Sequence, residues 1–272
     1  MDHILLHLVA ASIYAGLALW LRRGGTTGTA PRPISLPEQG ILLIALAAHG
    51  LALHSAMFAD GTMSFGFGPA ISMMVWLAIC FYWIETFYAA LHGLHALALP
   101  AGVVAVLVSL ALPGQQMLAN ADSSAFRAHF IIAMLAYSLF TLAALHALLM
   151  AVAERQLHSG RISRSIAALP PLMTMETLLF RLIGIAFVLL TLTLASGVLF
   201  SEELFGQPFR VDHKTVFAFI SWLLFAVLLI GRRARGWRGR VALRWTLAGF
   251  IALVLAYLGS RFVLEVLLAR GG

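Results

Sequence analysis

The chain has 272 residues, of which 61% are hydrophobic and 11% charged, and its mean hydropathy is +0.95. A water-soluble domain carries about 25% charged residues, so this composition excludes a soluble enzyme and a disordered chain, and the single cysteine, Cys80, excludes a disulfide scaffold. The net charge of +7 does not point to nucleic acid, because in a chain this apolar the basic residues act first as topology signals.

A hydrocarbon core of about 30 Å needs roughly 20 apolar residues per helix. Eight segments meet that rule, giving an all-α integral membrane protein in one domain, 1–272. The first, 3–21, carries His3 and His7 and is followed by Arg22 and Arg23. The second, 39–58, carries His49 and His54. The third, 69–90, contains Trp76, Cys80 and Glu85, and a Leu91-His92-Gly93 corner joins it to the fourth, 94–112, with His95 and an internal Pro100. The fifth, 127–152, contains His129 and His146; the sixth, 177–200, begins near Arg181. The seventh, 213–230, opens on His213, and the eighth spans 241–264.

Thirteen of the 18 basic residues fall on one side of this arrangement: Arg22, Arg23 and Arg32; Arg155, Arg161, Arg164 and Arg181; and the run from Arg232 to Arg244. The positive-inside rule places them in the cytoplasm and both termini on the outer side. The N-terminus lacks a basic leader, so the first segment is expected to remain as an anchor. The Trp237-Arg238-Gly239-Arg240 run reads as a retention signal contacting anionic lipid.

Ten histidines are the main chemical feature, since ionisable groups within a membrane are costly and usually face an interior or a cavity. His129 and His213 open two segments that run in the same direction, so both lie at the outer end at one depth. A bis-histidine haem needs two neutral imidazoles from different helices. His49 lies a turn or two deeper, as a reserve ligand or as a partner that hydrogen-bonds a ligand. Arg210, Lys214 and Arg261 are placed near that depth to hold propionates, and Trp222, Phe219 and Trp76 are suited to flank a porphyrin. Zinc or copper at the same histidines stays open. His146 lies about 25 Å from His129 and is placed to pair with His95 in a second, inner site. Glu85 reads either as a structural partner within the helical hairpin or as a proton carrier. No Walker motif, GxGxxG or CxxC occurs.

Several segments resemble the cytochrome c assembly protein superfamily, in its short eight-helix YpjD-like inner-membrane branch. They are Pro170-Pro171-Leu172-Met173 through Glu176, LLTLTLASG from Leu189 to Gly197, His213-Lys214-Thr215 through Trp222, and GWRGRVALRWTLAGFIALVLAYLGSR from Gly236 to Arg261. His129 with Tyr137 and Ser138 matches the fifth-helix pattern.

The resemblance implies a haem-handling protein of the bacterial inner membrane tied to cytochrome biogenesis. His129 falls where larger relatives place an outward haem histidine. Two departures stand out: residues 201–210 contain no tryptophan, and no histidine follows the last segment, where Arg261 and Glu265 are the polar residues. His213 is then the replacement ligand that depth suggests. The expectation is a b-type haem bound by His129 and His213, with His49 and Arg261 nearby. The lipid bilayer and other cytochrome biogenesis components would be its partners, and it would have no turnover chemistry of its own. Two alternatives remain: a permease subunit for a small solute, and a non-catalytic regulator of tetrapyrrole synthesis that docks a soluble enzyme on its basic loop.

Overall fold

The computed structural model describes residues 2–24, 34–58, 63–88, 93–113, 123–160, 169–202 and 212–259. Among them all regular structure is helical: α1 (Asp2–Gly24), α2 (Leu36–Met57), α3 (Phe67–Glu85), α4 (His95–Ala111), α5 (Ser124–His158), α6 (Leu172–Leu199), α7 (His213–Arg235) and α8 (Gly239–Val254). A π-helical turn, Leu255–Gly259, continues α8.

Seven of these helices are long and apolar enough to cross a membrane. The expected fourth span falls just short: α4 has 17 residues, about 26 Å of rise against a core of about 30 Å. The third ends at Glu85 rather than residue 90, where Thr86 turns its hydroxyl onto the Trp83 carbonyl (2.6 Å). In the other direction, α5 runs to His158. At 35 residues it is about 50 Å long and extends beyond the hydrocarbon as a polar turn carrying Glu154, Arg155 and His158.

Neighbouring helices alternate in direction. Trp20 at the end of α1 donates to Glu38 Oε1 at the start of α2 (3.0 Å), and the Glu38 carboxylate also accepts from the Ser35 backbone N–H (2.8 Å). Helices α1 to α4 pack as one group and α5 to α8 as another, joined mainly where α3 lies along α5. Helix α5 is the axis of the second group, packing on α6, α8 and α3. Its Phe140 ring stacks on Phe225 of α7 at 3.9 Å, and both are fully buried.

Large apolar side chains cover the outside as well as the core. Ile44, Leu51, Val104, Ile131, Val188, Leu223 and Ile251 are all exposed. In water such a surface would drive association; facing acyl chains it is the stable one, because every helix satisfies its own backbone. The bundle has two chemically distinct ends. Arg22, Arg23, Arg155, Arg232, Arg233, Arg235, Arg238, Arg240 and Arg244 cluster at one (the arginine end), and His129 and His213 lie at the other (the histidine end).

Candidate functional site

At the histidine end, His129 sits half-buried one turn into α5 and faces the last turns of α6. Its Nδ1 lies 2.8 Å from Ser196 Oγ, and Ser196 donates its only proton to the Thr193 carbonyl at 3.0 Å. With Ser196 donating to Thr193, the tautomer that fits is the one in which Nδ1–H donates to Ser196. Metal-ligating histidines are held this way, with the second ring nitrogen donating to a protein acceptor that fixes tautomer and ring plane. Gly197 stands beside the ring, where a Cβ would meet His129 Cε1 at 3.6 Å, an ordinary contact distance.

His213 is the first residue of α7 and is exposed. Asp212 caps that helix, accepting from the Thr215 N–H and hydroxyl, both at 2.9 Å. Trp222 Nε1 donates to Thr191 Oγ1 at 2.9 Å, which fixes the register of α7 against α6. On that register His213 lies about 6 Å beyond His129, roughly four residues of helix rise. The two histidines share an end but not a cleft. At 3.6 residues per turn, Ser196 and Gly197 face α5, whereas Thr191, Ala195 and Val198 face α7 from the opposite side of α6. Those last residues line, with Leu199, Phe219 and Trp222, an apolar groove of about 380 Å³. Trp222 also stacks on Phe187 at 5.5 Å.

His49 is fully buried, and both its ring nitrogens are engaged by protein: Nε2 with Ser72 Oγ at 2.8 Å and Nδ1 with the Tyr14 hydroxyl at 3.3 Å. It joins α1, α2 and α3. Trp76 has a packing role too, donating to the Leu46 carbonyl at 2.8 Å and lying against Gly50. Arg210 and Arg261 lie outside the described residues.

Toward the arginine end, His146 of α5 pairs with Glu85 rather than with His95, at 3.0 Å between Nε2 and Oε2. His146 is fully buried and its Nδ1 has no hydrogen-bond partner among the described residues. Beyond it lies Glu176 of α6, 5% exposed. Its Oε1 accepts from Arg232 of α7, and its Oε2 accepts from the Gly239 N–H at the start of α8 (3.1 Å). Arg238 stands 3.6 Å from the same carboxylate. Arg232 also lies over the Phe180 ring, 4.6 Å from its centroid.

The turn between α7 and α8 follows from these contacts. Gly236 takes φ +64°, a left-handed helix cap that glycine adopts without strain. This brings Trp237 back over Gly231, where a Cβ would come within 2.4 Å of the indole, and against Trp245 at 5.3 Å. The Trp-Arg-Gly-Arg run, read from the sequence as a lipid-contacting signal, is therefore also a clamp that closes α7 and α8 over α6.

The model of the cytochrome C assembly protein family matches residues 41–268. The chain belongs to that family. It is 31% identical over 230 residues to the inner membrane protein YpjD of Escherichia coli (strain K12), covering 83% of this chain and 85% of that protein. It is also 42% identical over 89 residues to the cytochrome c biogenesis protein CcsA of Prochlorococcus marinus (strain MIT 9301), or 33% of this chain and 29% of that one.

This member of the cytochrome c assembly family is a multi-pass inner-membrane protein. The matched region holds His129, Ser196, His213 and the Glu176 clamp. Sequence reasoning singled out His129 and His213 but missed Ser196 and the role of Glu176. Both stood inside quoted segments, and a serine within a long apolar helix was the available signal.

Proposed function

We propose that this protein binds b-type haem at its histidine end through His129 and serves cytochrome c biogenesis as a haem-handling component without turnover chemistry of its own. The observation that supports this reading is the His129–Ser196–Thr193 chain, which holds the half-buried imidazole by its Nδ1 at the histidine end. Family membership supports the setting, since one similar protein is named for cytochrome c biogenesis.

The donor set fits the group. A neutral imidazole is a haem ligand, and Ser196 supplies the outer hydrogen bond that orients it. His213 lies about one turn further out and on the other side of α6, so His129 is the ligand on which this reading rests and the His213→Ala variant tests whether His213 takes part at all. Bound haem would supply the iron chemistry; the chain supplies position and ligand field. The positive-inside rule puts the arginine end in the cytoplasm, the histidine end on the outer side and both termini outside.

The test is an absorption spectrum of the purified protein, oxidised and dithionite-reduced, beside His129→Ala and His213→Ala. A Soret band and a reduced α band that vanish in His129→Ala support the reading, and their loss or shift in His213→Ala assigns the second ligand. A wild-type spectrum that stays featureless after haem is supplied overturns it.

A further inference from the structure

The arginine end carries a second feature that the haem reading does not use. Where the last turns of α5 meet the first turns of α8, a cavity of about 380 Å³ opens between the two helices. Each helix contributes one face at i, i+3, i+4 and i+7 spacing: Ala151, Glu154, Arg155 and His158 from α5, and Arg240, Leu243, Arg244 and Leu247 from α8. The rim is charged and the floor is apolar.

The rim is not internally neutralised. Arg240 Nε lies 2.7 Å from Glu154 Oε1, so one arginine has its carboxylate. His158 Nδ1 is turned onto the Glu154 backbone carbonyl at 2.9 Å. Arg155 and Arg244, both exposed, have no ion-pair partner among the described residues. Two unpaired guanidiniums thus stand over one opening, with the positive N-terminal end of α8 beside them.

This geometry points to a binding site for the phosphate of an anionic phospholipid. Arginine forks match phosphate oxygens, and basic pockets between transmembrane helices at the cytoplasmic surface suit acidic headgroups. The apolar floor decides the source of the phosphate. A free ion would leave Leu243 and Leu247 uncovered, whereas a lipid lays its glycerol and upper acyl chain along them while Arg155 and Arg244 hold the headgroup. The occupied site would tie α5 to α8 at the membrane surface.

Native mass spectrometry of the full-length protein in detergent tests this, titrating phosphatidylglycerol or phosphatidylcholine with identical acyl chains. Wild type is expected to prefer phosphatidylglycerol. The Arg155→Gln/Arg244→Gln variant should lose that preference by about thirty-fold, taking about fivefold for each arginine at a membrane surface. The Arg233→Gln/Arg235→Gln variant removes the same charge from the same end and should retain it. Glu154→Gln frees Arg240 and should tighten binding several-fold, an outcome that does not depend on the double arginine variant folding. Equal losses in the two arginine pairs, no headgroup preference in wild type, or unchanged binding in Glu154→Gln would each overturn the proposal. So would displacement of the lipid by millimolar inorganic phosphate, which would make this a free-phosphate site.

Discussion

Arg232 of α7 donates to Glu176 of α6, and that ion pair anchors the α7–α8 turn together with the Gly239 N–H and the Trp237 contacts. Glu176 is the more deeply placed partner, with a side chain 7% exposed against 23% for Arg232. Its second oxygen takes the Gly239 N–H, so one carboxylate organises the end of one helix and the start of the next. Removing it leaves a partly buried guanidinium unpaired as well as an unbonded amide.

Glu176→Ala is accordingly expected to destabilise the protein by on the order of 3 kcal/mol, as for a broken buried pair. Arg238→Ala removes a group 56% exposed and 3.6 Å away, and should cost about 0.5 kcal/mol or less. Melting followed by tryptophan fluorescence is suited to the comparison, because Trp237 and Trp245 lie in the clamp. Equal effects of the two substitutions would refute the central place given to Glu176.

Ser196→Ala tests the His129 assignment without touching the ligand. If Ser196 orients the ring, haem affinity should fall about 10- to 100-fold, the usual cost of losing such a partner, while the bound spectrum keeps its form. His49→Ala should leave the haem spectrum unchanged, since both of its nitrogens are already engaged by Ser72 and Tyr14. Haem titrations of the three proteins, read at the Soret band, check both statements.

The His146–Glu85 pair invites a double-mutant cycle. Glu85→Ala would leave both ring nitrogens of a fully buried histidine without a described partner, at a cost of about 1–3 kcal/mol. Replacing both residues with leucine removes both unmet polar groups and should recover much of that loss. A cycle with no coupling between the two sites would show that their 3.0 Å contact contributes nothing to stability.

Axial order was legible in the sequence; azimuth was not. Apolar run length located all eight helices, and most of the described arginines cluster at one end of the bundle. Ends were missed where polar contacts rather than hydropathy set them. α3 stops at Glu85, where Thr86 turns back onto the Trp83 carbonyl, and α5 runs on through Glu154 and Arg155 to His158. Counting along the helices put His129 and His213 at one end, but it could not place α6 between them. That follows from which faces of α6 carry Ser196 and Thr191, and only the packing of three helices fixes those faces. The partners of Trp76 and His49, namely the Leu46 carbonyl, Ser72 and Tyr14, come from neighbouring helices and were illegible for the same reason.

Asp212 makes the clearest pH prediction. Partial burial alone would raise its pKa, but hydrogen bonds from Thr215 and the charge of Lys214 outweigh that and hold it below the ordinary value of 3.8. A carboxylate whose folded pKa is depressed contributes stability that is fully present above the unfolded value and is lost as pH falls through the folded one. Asp212→Ala should therefore cost about 1 kcal/mol at neutral pH, the usual worth of an N-cap. The gap in melting temperature between wild type and variant should stay constant from about pH 7 to pH 5 and close below about pH 4. A gap that persists unchanged to pH 3 would mean that the charged form of Asp212 is not what caps α7.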